Sequence, residues 1–411
     1  MKWTNKGHQF DDAGEYFKNT KVVYFYGCIF TFLNEIIEQL IWAEKKSNNG
    51  KVNLDFVFVD RDKEKQKQQF FGYPVISPEE FHTRFADSND IVILAVTEKS
   101  LPKLLAELLT NMKFKRRFNV FTPYEFFRYL TVFIWYRYNK LFFHIVDMYA
   151  HTNCNLNCKH CFIQTYRGVR KTINFDLLKK NIQNFFNKID YTYTFIGGIG
   201  DGFAYRDLGD MIDFLNQNYK DRYEKIDIVT NGTIIPNEKL LNALKTPKVH
   251  VIVDDYRENV ELARKNFQKV ISLLEQNKIF FDILKRSYFD KAGLLVKDKN
   301  TLDSEENLIL QHDNCICHAK GFPYFGYKDG KNYIYSCCFS TINSYLNLIE
   351  EMPNDYIDLV ASPTDILEFI LGYSDNGYLN TCKYCVGIFE GEMTEKIPVA
   401  IQMDSKEEKV I

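Results

Sequence analysis

Three cysteines, Cys154, Cys158 and Cys161, stand within eight positions of the stretch HTNCNLNCKHCF, residues 151–162. Thiolates at that density bind soft metals. A tetrahedral zinc site takes four ligands, so zinc here would need His151 or His160 as the fourth. A four-iron cluster is held by cysteine thiolates, and three of them leave one iron open to a ligand from outside the protein. A second group lies far downstream: Cys315 and Cys317, Cys337 and Cys338, then Cys382 and Cys385. Between its first two pairs, FPYFGYKDGKNYIYS reads as a hairpin turning at Asp329-Gly330. These six cysteines can furnish a complete four-thiolate set, suited to a second cluster or to zinc. The remaining one, Cys28, reads as a small buried residue.

The elements that position these thiols follow from periodicity. Residues 21 to about 122 alternate short apolar strands (KVVYFY, VNLDFVFVDRD, DIVILAVTE) with helical patterns. Such alternation implies a parallel sheet with helices on both faces. At the first strand-to-helix turn, Gly27 is followed by Ile29 and Phe32 where a dinucleotide fingerprint carries glycine. The reading is therefore a structural Rossmann-like unit, weighed against a working NAD site with Asp60 as the ribose acid. An aromatic helical connector follows. From 141 to about 300 a second strand–helix series runs through LFFHIVDMYA, YTYTFIGG, KIDIVTNG, VHVIVDD and IFFDIL. Repeats of this length suggest a partial TIM-type barrel, whose chemistry stands at the carboxyl ends of the strands. The cysteine triplet falls just after the first of them.

The fold class is thus α/β. It divides into a Rossmann-like domain (1–122), a helical connector (123–140), a partial βα barrel (141–300), a small cysteine-rich α+β domain (301–395) and a tail (396–411). The chain has 411 residues and a formal charge of −2, which leaves no basic footprint for nucleic acid. Its most apolar stretch, LTVFIWY, is too short to span a bilayer and is followed by Arg137. The polar start MKWTNKGHQFDDAGEYF has no apolar signal region. A cytoplasmic location is expected, where ten cysteines serve as metal ligands or core residues rather than disulfides.

The Cys-x3-Cys-x2-Cys spacing, with the ring of His160 before the last cysteine, resembles the radical S-adenosylmethionine (SAM) superfamily. The resemblance implies a 4Fe-4S cluster on Cys154, Cys158 and Cys161 that binds SAM and yields a 5′-deoxyadenosyl radical. The stretch FIGGIGDGFAYRDL resembles the family's Gly-Gly-Glu-Pro turn. Gly197 and Gly198 match it, Ile199 and Gly200 replace Glu and Pro, and Asp201 is the candidate acid for the SAM amino group. In VTNGT, Thr230 and Asn231 would face the SAM ribose and carboxylate, with Asp254 and Asp255 as weaker candidates on the next strand.

The downstream cysteines resemble the twitch form of the SPASM extension, which implies one auxiliary 4Fe-4S cluster. Its preferred ligands are Cys317, Cys337, Cys382 and Cys385, with Cys315 and Cys338 as alternates. The N-terminal unit, through FVFVDRD and FGYPVISPEEF, resembles modules of bacterial surface-polysaccharide enzymes. Together these resemblances imply an oxidoreductase resembling the family's aminocyclitol dehydrogenases. It would act on a small-molecule or carrier-linked sugar and draw electrons from a flavodoxin- or ferredoxin-like donor. A peptide-modifying SPASM-type maturase and an inactive adaptor are the alternatives. The general base is left open among Asp282, Lys285, Arg286 and Tyr288.

Overall fold

The apolar run VVYFY forms β1 (Val22–Tyr26), the centre of the first sheet. The structure, a computed structural model, describes residues 10–28, 33–85, 88–97, 99–111, 119–161, 163, 170–198, 200–290, 304–315, 323–372, 376–385 and 396–403. It separates into two compact units, Lys2–His144 and Ile145–Ile411. In the first, β1 lies between β2 (Asp55–Val59) and β5 (Ile91–Leu94), both parallel to it. The short β3 (Gln69–Phe70) and β4 (Tyr73–Ile76) lie beyond β2, and β6 (Val120–Phe121) beyond β5. The chain therefore winds outward from β1 in one direction, then in the other. One face buries Tyr24, Tyr26, Val57 and Val92 under Phe81 and Leu108.

Helices α1 (Phe10–Asn19), α2 (Leu33–Ser47), α3 (Pro78–Phe85), α4 (Leu101–Asn111) and α5 (Pro123–Tyr138) complete this unit. The segment expected as a connector is α5, and it packs against α1 and α2. It starts at a capping box, with Thr122 and Glu125 bonding each other's backbone N–H and Pro123 in the first turn. Near its end Arg137 donates to Glu44 at 2.9 Å, both side chains buried, and to the Phe17 and Thr20 carbonyls. Such a buried pair is satisfied on both sides, so cutting it on one side leaves an uncompensated charge.

The second unit holds the βα series. It runs β7 (Phe142–Met148), α6 (Phe175–Lys188), β8 (Tyr191–Ile196), α7 (Leu208–Tyr219), β9 (Tyr223–Thr230), α8 (Glu238–Leu244), β10 (Val249–Asp254), α9 (Glu261–Gln276) and β11 (Phe281–Leu284). All five expected strands are present, ordered β7 to β11 across the sheet. Strand alternation gives each two faces. Phe195 stacks on Phe186 of α6, and Val249, Val251 and Val253 are fully buried. The opposite face is polar, with Lys225, Asp227, His250 and Asp282 paired across three adjacent strands.

After β12 (Tyr288–Asp290) and α10 (Glu305–Asn314) comes the expected hairpin. It is formed by β13 (Tyr324–Lys328) and β14 (Lys331–Tyr335), turning at Asp329 (φ 49°) and Gly330 (φ 84°). It does not stand apart from the barrel. β13 lies parallel beside β7, with Tyr324 opposite Asp147, so the hairpin extends the same sheet. A first strand without a neighbour would expose a row of backbone donors and acceptors, and β13 covers it. Then follow α11 (Cys338–Leu346), β15 (Ile357–Asp358), α12 (Pro363–Ile370) and β16 (Lys396–Pro398). In the expected tail, β16 pairs antiparallel with β12. Among the described residues no helix is long and apolar enough to cross a membrane.

Candidate functional site

The chain leaves β7 through buried Tyr149, Ala150 and His151 and enters the thiol loop. His160 takes a left-handed φ of 64°, which turns the chain so that the Cys161 N–H meets the Cys158 carbonyl at 3.2 Å. All three thiols share one apolar cluster with Leu156, Tyr256, Val260 and Ala263. The Leu156 N–H and the Asn231 side-chain amide donate to Cys154 Sγ at 3.4 and 3.5 Å. The Gln402 amide donates to Cys158 Sγ at 3.2 Å. Burial pushes the Cys154 thiol up to about 11 and that of Cys158 up to about 12. A bound cation reverses that preference, so metal loading here releases protons.

Among the described residues, no three His, Cys, Asp or Glu side chains are placed to hold a single metal ion. A four-iron cluster takes each thiolate on a different iron, so its ligands need not converge on one point as zinc ligands must. His151, the candidate fourth zinc ligand, accepts the Asn153 N–H at Nδ1 and stacks on Tyr205 with centroids 4.9 Å apart. An all-thiolate loop with apolar walls and N–H donors on sulfur fits an iron–sulfur cluster.

The ends of the next strands surround this loop. Gly198 (φ 120°) and Gly200 close against it: a Cβ on Gly200 would lie 2.2 Å from the Asn153 carbonyl oxygen. That contact accounts for a glycine where the family motif carries proline. Gly197 faces the helix side, where a Cβ would meet Met211 of α7 at 2.6 Å. Asp201 is buried, and its carboxylate accepts from the Thr230 hydroxyl and from the Asn231 and Phe203 N–H groups at 2.7–3.2 Å. Burial raises its pKa to about 6 against those bonds. The acid expected to meet an amino group thus braces the β8 turn to the end of β9. Asn231 Nδ2 bonds Asn155 Oδ1 at 3.1 Å, tying β9 to the thiol loop. Asp255 is paired with Arg257 at 2.7 Å, and Asp254 with Arg286 at 3.3 Å.

Residues 148–296 match the family model described as the radical SAM superfamily. Over those residues the chain resembles a radical SAM domain. Over 100 residues, 24% of the chain, it is 29% identical to the antilisterial bacteriocin subtilosin biosynthesis protein AlbA of Bacillus subtilis (strain 168). The match spans 21% of that relative's length, about a fifth. Among solved structures, BtrN in complex with AdoMet and 2-DOIA is 14% identical, with 57% of this chain and 84% of BtrN covered and a TM-score of 0.37. Streptococcus suis SuiB bound to S-adenosylmethionine is also 14% identical, with 47% and 41% covered and a TM-score of 0.27.

That resemblance implies a 4Fe-4S cluster and SAM. Outside its matched residues the structure gathers a second set of thiols. Cys315 caps the end of α10, Cys337 stands at the start of α11, and Cys382 and Cys385 lie on and just after the 3₁₀ turn Asn380–Lys383. These four line one small cavity with His312 and Ser336. Burial holds the Cys382 thiol well above the usual range, with Cys337 and Cys385 adding to the effect. The buried carboxylate of Asp355 fixes the turn by accepting the Thr381 N–H and hydroxyl at 2.9 and 3.0 Å. Cys338 is buried in an apolar cluster with Phe339, Ile349 and Cys385 and does not line the cavity. Cys317 lies outside the described residues.

Two features escaped the sequence reading. One is the segment Val399–Met403, which reaches the thiol loop from more than two hundred positions away in the sequence; no local pattern announces it. The other is Asp147, the last but one residue of β7. Its Oδ1 has no hydrogen-bond partner, and burial pushes its pKa up to about 8. The signal was present: one acid inside the largely apolar strand FFHIVDMY.

Proposed function

We propose that the chain is a radical SAM oxidoreductase with one auxiliary cluster, oxidising a hydroxyl-bearing carbon of a sugar or aminocyclitol. Cys154, Cys158 and Cys161 would hold the SAM-binding cluster. Gly197 and Gly198 would offer backbone edges to SAM, Asn231 its side chain, and Asp201 and Thr230 would keep those edges in place. Cys315, Cys337, Cys382 and Cys385 would hold the auxiliary cluster, with Cys315 taking the place first given to Cys317. Bound there, the two clusters and SAM supply hydrogen-atom abstraction by a 5′-deoxyadenosyl radical and a one-electron acceptor. The chain itself must supply a proton acceptor. Asp147 suits that role, with an unpartnered Oδ1 on the strand that leads to the thiol loop.

The observation that supports this reading is the thiol triplet just beyond the carboxyl end of β7, within the residues that match the family model. The relative's name, a bacteriocin biosynthesis protein, favours a second reading, modification of a ribosomal peptide. The test is anaerobic reconstitution, an iron count, and 5′-deoxyadenosine formation with SAM and dithionite. Sugar nucleotides and aminocyclitols are then compared with short peptides as stimulants. About eight irons per chain and stimulation by a sugar support the proposal. Stimulation by peptides alone gives the maturase reading, and no deoxyadenosine from a fully loaded chain gives the inactive adaptor.

A further inference from the structure

The segment Val399–Met403 forms a strap across the thiol loop. The Lys159 N–H donates to the Ile401 carbonyl at 2.7 Å and the Met403 N–H to the Asn157 carbonyl at 2.9 Å, an antiparallel bridge with Cys158 opposite Gln402. Asn259, just after β10, holds the other end of the strap by donating to the Val399 carbonyl at 2.8 Å. Gln402 sits at the centre of the bridge. Its Oε1 accepts the Asn157 N–H at 2.8 Å, across 245 positions of sequence. A backbone N–H can only donate, so the carboxamide orientation is fixed and Nε2 is turned to the other side. There its two hydrogens go to the Ala400 carbonyl at 2.7 Å and to Cys158 Sγ at 3.2 Å.

We propose that Gln402 is a positioning residue that sets the reduction potential of the cluster held by Cys154, Cys158 and Cys161. This rests on the reading of that loop as a cluster-holding loop. An N–H aimed at a ligating sulfur stabilises negative charge on it, and a reduced cluster carries one electron more than an oxidised one. The donor therefore favours reduction and raises the potential. The strap fixes the donor's direction before any electron arrives, because all three of the carboxamide's bonds are already made.

The experiment uses the full chain, anaerobically loaded with iron and sulfide, and potentiometric titration followed by electron paramagnetic resonance. Cys158→Ala identifies which couple belongs to the loop. Gln402→Glu retains the acceptor for Asn157 and loses the donor; Gln402→Met removes both at similar length. We expect the loop couple to shift toward the oxidised form by about tenfold in Gln402→Glu, which for one electron is about 59 mV. The auxiliary couple stays in place and the iron content is unchanged. An unmoved loop couple in either loaded variant overturns the proposal, as does reduced iron with an unmoved potential in what remains, the mark of a purely structural strap. A parent chain without any couple lost in Cys158→Ala overturns instead the reading of the loop, a result distinguishable from the first two.

Discussion

Both units place a cysteine just after the first strand of a parallel sheet, and among the described residues only the second of the two places gathers further thiols. After β1, Gly27 (φ 112°) donates to the Val59 carbonyl at 2.7 Å, and a Cβ on it would lie 2.1 Å from the Ala95 oxygen. The turn is thus pressed between the ends of β2 and β5, at the crevice where ligands of such sheets enter. Cys28 beside it faces Asp60, whose carboxylate is already paired with Lys65 at 2.8 Å. After β7 the turn carries three thiols instead of one, and the neighbouring strand ends bring amides to them. A strand end is a place, and the donor set decides whether it becomes a site.

The sharpest way to break this contrast is Cys158→Ala. It should remove about four irons and lower deoxyadenosine formation by at least about a hundredfold, since a cluster stripped of one of three thiolates is not held. Activity surviving that change would put the chemistry elsewhere. Next in size is Cys382→Ser, read by the same iron assay. It should also lose about four irons but leave SAM cleavage in place, separating radical formation from product formation. Loss of zinc instead of iron would withdraw the auxiliary electron acceptor.

Asp147→Asn sharpens the contrast within the second unit. As a proton acceptor, Asp147 should make product formation climb with pH through about 8, and the variant should lose both that climb and about 10²–10⁴-fold in rate. Stability gives a second readout. With its pKa raised from 3.8 to about 8, the folded chain keeps a proton that the unfolded chain has released. Stability from this group is therefore full at low pH and falls as pH rises from about 4 to about 8. Asp147→Asn should flatten that fall, so its melting temperature gains on the parent more at about pH 8 than at about pH 5.

What the sequence disclosed tracks how local each signal is. The five barrel strands, the hairpin turn at Asp329-Gly330 and the thiol triplet are written in short windows, where period and spacing speak directly. The four-thiol cavity draws on α10, the start of α11 and a turn more than forty residues beyond it, so the choice between neighbouring cysteines depended on which way each faces. Cys337 and Cys338 differ by one position and share one apolar cluster, yet only Cys337 lines the cavity. The union of β13 with β7 and the return of Gln402 to Cys158 are pairings across most of the unit, with no periodicity to mark them. Asp201 shows what residue type alone leaves out. Its residue type fitted a ligand contact, yet its surroundings turn it inward onto Thr230 and Asn231.

The smallest expected effect is Cys28→Ala. Burial pushes this thiol up to about 12, and the Asp60 carboxylate beside it adds to the rise. Unlike Cys158, it has no second cysteine near it in the sequence, and a lone thiolate does not hold a cluster. Iron content, deoxyadenosine formation and both reduction couples should match the parent. The cost should be about 1 kcal/mol of stability, the loss of a small buried group, read by denaturant midpoint at unchanged slope. A loss of iron in this variant would mean that Cys28 also serves a metal, and the two strand ends would no longer divide into scaffold and site.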